Sequence, residues 1–532
     1  MNLKIKKLVV PALALSVFMT GILSACSSNK PENSPVPTAA PTVASNKTPD
    51  PVSLKIMLFG DKSPDLDKVL AKFEETTKDT LNTKLEFEYN PVPDHKQKVL
   101  LKMSTGEQVD LLFDAPWQQL NNNISLGYYQ QLDKYFNNDE YPGLKNAFPS
   151  EIIEANKING HIYTIPFMTA YYDPNNIGVR KVVREEVGAA PVKNLDDLKA
   201  YYEKVLEKKP GYVPLALGGG RGFFKMFVPE EKGHNDIRLA SILQDSFTGG
   251  IPFSVALSPD GKKVIGAATL GDPNTEFAKF PTPFNTHDSI YGHFGTRVEW
   301  KKYTNKDPLS GAAVQALDPL KNGSGEGVLS GVTRGKNDIK ALVPNDDMEM
   351  FLYQSQDIRD MKPGALRTDY RSNNSVVIPT SSQNADRTMK FLDWLFSSKE
   401  NHDLFELGIE GEHWIKDGDN GYKTTTWNPL LSRVNTAQDE ETLKYIAYTK
   451  DESSYYQIPL SGFIFDTKPV ATEIGKITPV LQPASDILMN GLEPKWQDFA
   501  QKLNKDMRNL GLENIRAEVI KQVQAYLDAG GK

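Results

Sequence analysis

Trp117, Trp414 and Trp427 each stand beside polar residues in stretches with loop character: Asp114-Ala-Pro-Trp117, Glu412-His413-Trp414 and Trp427-Asn428. Tyr171-Tyr172-Asp173, Arg221 after a run of glycines, and Arg371-Ser-Asn-Asn374 supply further rings and hydrogen-bonding groups. Flat rings next to Asp, Asn, Arg and His suit a sugar, whose ring presents apolar C–H faces inside a rim of hydroxyls. The two arginines would also pair with a carboxylate through two parallel hydrogen bonds. Covalent chemistry is harder to find. The chain has no H-E-x-x-H, no G-x-S-x-G and no Walker A loop, and its seven histidines (95, 161, 234, 287, 293, 402, 413) are dispersed. Gly218-Gly-Gly-Arg-Gly222 lacks dinucleotide-binding spacing and reads as a turn. Two facing carboxylates, enough for a glycosidase, stay open among 68 acidic residues. Asp417-Gly-Asp419-Asn-Gly421 alternates like a calcium loop but lacks the distal glutamate, so it reads as a hairpin turn. Neither a metal nor a cofactor is expected.

These residues need elements to hold them. Leu54 to Phe59 reads as a buried strand ended by Gly60-Asp61, and Ser63-Pro64 as a helix start. Leu66, Val69, Leu70 and Phe73 then fall on one helical face. Lys84 to Tyr89 alternates as a strand, Asp94 to Thr105 is helical, and Val109 to Phe113 is a third strand. Strand–helix–strand alternation means right-handed crossovers and a mostly parallel sheet. Ligands gather beyond the carboxyl ends of such strands, here at Asp61 and at Asp114 to Trp117.

A second α/β set follows. Asn194 caps a helix bearing Leu198, Tyr202, Val205 and Leu206, and Tyr212 to Leu217 is a strand. Ser258 to Lys262 reads as a hairpin turn. Asn384 caps a helix bearing Met389, Leu392, Leu395 and Phe396, and helices run from Trp496 to Leu510 and from Ile515 to Leu527. Trp394 and Trp496 read as core, and Trp300 as either a packing residue or an exposed anchor.

The stretches "DLLF" (110 to 113), "GYYQQLDKYF" (127 to 136) and "KINGHIYTIP" (157 to 166), the last with an Asn159-Gly160 turn, come in a telling order. So does "SVVIPTSSQNADRTMKFLDWLFSSKENHDLFELGIEGEHW", residues 375 to 414. Together they resemble the extracellular solute-binding proteins of ABC importers, family 1, and within them the LipO-type lipoproteins of Gram-positive bacteria. The resemblance implies an α/β, two-lobe periplasmic-binding-protein-like (Venus flytrap) fold with the ligand in the cleft between lobes. It places 52–167 and 341–400 in the first lobe, and 168–340 and 401–532, including the C-terminal helices, in the second. Trp117, Tyr172, Arg371 and Trp414 are then the leading ligand contacts. Asp61, Asp114, Tyr171, Arg221, His413 and Trp427 follow. Trp414, in the second lobe, would face Trp117 across the solute. The implied solute is an oligosaccharide, the implied partner an ABC permease. A peptide or small-anion importer component is the alternative, and a surface-anchored carbohydrate-degrading enzyme a third reading.

The amino terminus supplies an address. Lys4, Lys6 and Lys7 precede an apolar run from Leu8, and Leu23-Ser24-Ala25-Cys26 follows. This is signal-peptide architecture over residues 1–25. The four residues also resemble the bacterial lipobox, which would put lipid on Cys26, the sole cysteine. Residues 26–51 carry prolines at 31, 35, 37, 41, 49 and 51 among small polar residues, a composition that makes a solvated tether. The body is expected at the outer face of the membrane, as a monomer. Removal of residues 1–25 leaves 58 basic and 68 acidic residues, an acidic balance ill suited to nucleic acid.

Overall fold

The computed structural model describes residues 48 to 531 except 61, 117, 149, 167–175, 218–221, 224–225, 229–236, 241–252, 310–324, 330–345, 369–371, 373, 419–420, 425–433, 436–438, 458–459, 461–462 and 464. Cys26, Asp61, Trp117, Tyr171, Tyr172, Arg221, Arg371 and Trp427 therefore lie outside the described residues.

The first sheet has the order β2-β1-β3-β13-β4, with β1 Val52–Phe59, β2 Thr83–Asn90, β3 Leu111–Asp114, β4 Ile165–Pro166 and β13 Ser375–Val377. β1 is parallel to β2 and to β3, as the alternation of strands and helices requires, and β13 runs antiparallel between β3 and β4. Helix α1 (Leu66–Thr77) buries Leu66, Val69 and Phe73, the face read from spacing. It begins after Asp65 and not at Ser63; the Ser63 carbonyl accepts from the Leu66 N–H in a preceding turn. Helix α2 (Val92–Thr105) and helix α3 (Leu120–Ser125) meet the other side of the sheet through Val99, Met103 and Ile124.

The second sheet has the order β11-β5-β10-β6, with β5 Asn176–Arg180, β6 Val213–Ala216, β10 Gly325–Leu329 and β11 Met348–Leu352. β6 and β10 are parallel, and β5 runs against its two neighbours. Helix α4 (Leu195–Lys208) covers this sheet, and the Asn194 side chain accepts from the Asp197 N–H at 2.9 Å, the cap expected from sequence. Met348–Leu352 was assigned to the first lobe, but it pairs with β5 over its whole length. Arg184 reinforces the pairing with two bonds to Glu349, at 2.6 and 2.7 Å.

A third core joins strands β8 (Phe253–Leu257) and β9 (Val264–Ala268) to helices at the carboxyl terminus, and β7 (Ile237–Ala240) pairs antiparallel with β8. Helix α5 (His293–Trp300) spans two cores: Phe294 packs in this one, Trp300 in the core of the second sheet. Trp300 is a packing residue, its ring 5.9 Å from Tyr202 and 5.3 Å from Tyr303.

Helix α6 (Ala385–Ser397) returns to the first sheet, burying Met389 and Leu392. Its N-cap residue Asn384 makes no side-chain cap bond; its amide donates to Asp110 at 3.3 Å instead. Helix α7 (Lys399–Glu406) stays with it. The Phe405 ring meets Phe73 edge to face at 5.5 Å, and Ile409 packs on Leu66 and Val69. Residues from 401 to at least 409 thus lie with the first sheet, not in the second lobe. Aromatic packing on α1 decides the matter, and no local spacing in the chain encodes that partner.

Short pairings complete the set: β12 (Leu366–Thr368) with β17 (Tyr455–Gln457), and β14 (Trp414–Asp417) with β15 (Gly421–Thr424) and β16 (Val434–Asn435). The β14–β15 hairpin matches the turn expected at 417–421. Helices α8 (Ala471–Met489), α9 (Trp496–Asn509) and α10 (Leu512–Asp528) end the chain, with Trp496 buried among them. Among the described residues no helix is long and apolar enough to cross a membrane.

Candidate functional site

Asp114 closes β3, at the carboxyl edge of the first sheet, where a ligand contact was expected. Its side chain is 1% exposed and already committed. Oδ1 accepts from the N–H of Ala115 at 2.7 Å and of Gln119 at 3.1 Å. Oδ2 accepts from Asn123 at 3.0 Å and from the Tyr129 hydroxyl at 2.6 Å. A carboxylate offers about four lone-pair positions, so the chain itself saturates this one. Burial pushes its carboxyl above the usual range while these bonds, Tyr129's first, pull it down. Burial, then the Asp114 charge, pushes the Tyr129 phenol well above its ordinary value. Asp114 thus holds the backbone of Ala115 and Gln119, and its hydrogen-bonding positions are taken up within the chain. Asn123 and Tyr129, which complete the network, were missed; only Tyr129 left a trace, inside the aromatic stretch 127–136.

Beneath the same edge, His95 on α2 is fully buried, its Nε2 2.9 Å from the Phe113 carbonyl. Its ring meets those of Phe59 and Phe113 edge on, at 6.2 and 6.0 Å. Burial lowers its basicity more than the Phe113 carbonyl and the Asp114 charge restore it. The last residues of β1 and β3 are therefore fixed from below.

His413 and Trp414 come together, but not as a platform. Trp414 is 3% exposed, packs on Leu407, and donates its indole N–H to the Gly408 carbonyl at 3.0 Å. His413 Nδ1 accepts from the Ile409 N–H at 2.8 Å, and Nε2 lies 3.5 Å from Asp65 at the start of α1. Both residues thus belong beside the first sheet. Trp414 therefore lies beside the first sheet and not in the second lobe, where it was expected. Asp65, Glu412 and His413 bring potential metal ligands within 4.8 Å of one another. Lys68 already supplies a cation there, pairing with Glu412 and, at 3.3 Å, with Asp65.

The carboxyl edge of the second sheet lies where β6 ends. The chain passes to Gly222-Phe223, and Phe223 is buried in that sheet's core. Arg297 of α5, which sequence did not single out, is buried under this edge, 2.9 Å from the Met489 sulfur. Burial alone brings its guanidinium down to about 9. Such a position leaves no mark in the local sequence "HFGTRVEW".

The chain thus carries two α/β sheets, each with strand ends that open onto loops. A model of bacterial extracellular solute-binding proteins matches residues 60–402, more than half of the chain. A domain of unknown function (DUF3502) matches residues 459–528. A carbohydrate ABC transporter substrate-binding protein of Streptococcus pneumoniae serotype 4 is 23% identical over 495 residues, 89% of this chain and 91% of that protein. The N-glycan transport solute binding protein of Streptococcus pneumoniae superposes with a TM-score of 0.66 at 20% identity, covering 90% of this chain and 99% of that one. Its complex with Man5GlcNAc gives 0.65 at 21% identity, with the same coverage. The alginate-binding protein AlgQ2, without calcium ion, gives 0.60 at 17% identity over 91% and 99% of the two chains. The shared fold is the two-lobe, periplasmic-binding-protein-like one. The chain belongs to the bacterial extracellular solute-binding protein family.

Proposed function

We propose that this protein captures an oligosaccharide outside the cell and delivers it to the permease of an ABC importer, without chemical change to the sugar. The observation that carries the reading is the likeness, over nearly the whole of both chains, to a structure in complex with Man5GlcNAc. The carbohydrate transporter component from Streptococcus pneumoniae supports it, as does the supply of aromatic and polar residues in loop-like stretches of the sequence. Trp117, Tyr172 and Arg371 are the proposed leading contacts, with Asp61, Tyr171, Arg221 and Trp427 behind them. Lipid on Cys26 and the 26–51 tether would hold the body, as a monomer, at the cell surface.

A carboxylated sugar is the second reading. The likeness to an alginate-binding protein favours it, and Arg221 and Arg371 would serve its carboxylates. Calorimetry against neutral oligosaccharides, uronate oligosaccharides and peptides, with mass spectrometry of the recovered ligand, tests both. Binding of a sugar recovered unchanged is the expected result; binding of peptides alone, or product formation, would sink the proposal.

A further inference from the structure

The C-terminal helices meet the second sheet at its ligand edge, and the meeting is backbone to backbone. The Phe223 N–H donates to the carbonyl of Met489, the last residue of α8, at 2.9 Å. Gly222 sits at φ +48° with its Cα against the same carbonyl; a Cβ there would lie 2.2 Å from the Met489 oxygen. Only glycine fits, and the atoms it meets are backbone, with no flexible side chain between the two segments to take up slack. Arg297 locks the junction from beneath. One guanidinium nitrogen is 2.9 Å from the Met489 sulfur and the other donates to the Met226 carbonyl at 3.4 Å.

The helices themselves are pinned from the other side. Asp272, just past β9, accepts from Arg508 on α9 at 2.7 Å and from Arg516 on α10 at 2.9 Å. Gly271 makes a second close approach, where a Cβ would lie 2.1 Å from the Ala500 carbonyl oxygen. A buried, charge-assisted cluster of this kind holds its members in one arrangement. The module is thus rigid at Asp272 and touches the ligand edge at Met489.

We infer that the C-terminal helical module, matched to a domain with no known function, positions the ligand edge of the second lobe, with the end of α8 fixing Gly222-Phe223 and through them the affinity for solute. The inference rests on the solute-binding reading above. Strand ends of α/β sheets are where ligands gather, and a binding constellation is only as sharp as the groups that support it. Met489 and Arg297 act through Gly222-Phe223 and are positioning residues.

The test compares matched insults. Gly222→Ala forces the module from the ligand edge; Gly271→Ala forces a similar clash at the module's opposite contact, where the turn after β9 meets α9, remote from that edge. Met489→Ala removes the sulfur contact to Arg297, and Met489→Leu keeps its bulk. Two quantities are read well below melting: hydrogen exchange over residues 213–228 compared with β1 to β3, and the dissociation constant for Man5GlcNAc. Gly222→Ala and Met489→Ala should speed exchange over 213–228 but not over β1 to β3, and weaken binding by about tenfold or more. Met489→Leu, which keeps the bulk but not the sulfur, should fall between Met489→Ala and the unaltered protein in both readouts, and Gly271→Ala should lower the melting temperature while leaving the affinity unchanged. Normal affinity in Gly222→Ala, or equal losses in Gly222→Ala and Gly271→Ala, would overturn the inference. If the unaltered protein binds no Man5GlcNAc, this choice of sugar has failed. The exchange comparison still decides the positioning, since unchanged exchange over 213–228 in Met489→Ala would overturn it.

Discussion

The Tyr129 hydroxyl donates to Oδ2 of Asp114 at 2.6 Å, and the other oxygen of that carboxylate holds the backbone N–H groups of Ala115 and Gln119. One buried side chain therefore ties the aromatic stretch 127–136 to the turn that ends β3. Tyr129→Phe removes a bond to a charged acceptor without changing shape. A loss of ~1.5–3 kcal/mol of stability is expected, the usual worth of such a bond. Urea unfolding of the variant beside the unaltered protein measures it; an unchanged midpoint would mean the network carries no stability.

Trp414 gives a contrasting expectation. Its burial against Leu407 and its bond to Gly408 make it a core residue. Trp414→Ala should cost ~3–5 kcal/mol of folding stability. The fraction that remains folded should bind ligand normally. Reduced affinity with normal melting would return Trp414 to the ligand site.

Two buried groups titrate with opposite consequences. Burial, and then Asp403, raises Glu406 on α7 from 4.5 to about 9. The folded state therefore keeps a proton that the unfolded chain gives up. Stability from this group falls as pH rises between about 4.5 and about 9, by ~1.4 kcal/mol for each pH unit within the window. Glu406→Gln should flatten that slope and raise the melting temperature at pH 8. His95 is depressed from 6.5, with burial the leading cause. Its contribution is present above that pH and lost as pH falls through its lowered value. Melting curves from pH 5 to 9 on Glu406→Gln and His95→Gln check both signs. A Glu406→Gln profile parallel to that of the unaltered protein would contradict the first, and a His95→Gln profile with the same acid-side loss the second.

Much of this arrangement was visible in the chain. The face of α1, the Asn194 cap, the Asn159-Gly160 turn with both residues at positive φ, and the strand at 375–377 depend on local spacing and side-chain chemistry. What failed depends on distant partners. Met348–Leu352 is apolar enough to serve either sheet, and only β5 decides between them. Trp414 stands among polar residues in sequence, yet the chain folds so that Gly408 meets its indole. Asp114 carries the right chemistry for a ligand and spends it on its own turn. The position of a polar residue at a strand end is legible; whether its hydrogen bonds are already taken is not.

The anchor is tested in the cell. Cys26→Ser should release the protein into the medium, and ligand affinity should not change, because a proline-rich tether transmits little packing. Continued membrane association of the substituted protein would contradict lipid attachment at Cys26.

The most direct measurement is calorimetric titration of the unaltered protein with Man5GlcNAc and a set of neutral and uronate oligosaccharides, with mass spectrometry of the recovered ligand. Saturable binding of at least one oligosaccharide, recovered at its original mass, is the expected result. A protein that binds none of these sugars but takes up peptides, or one that returns a cleaved sugar from a clean preparation, would contradict oligosaccharide capture.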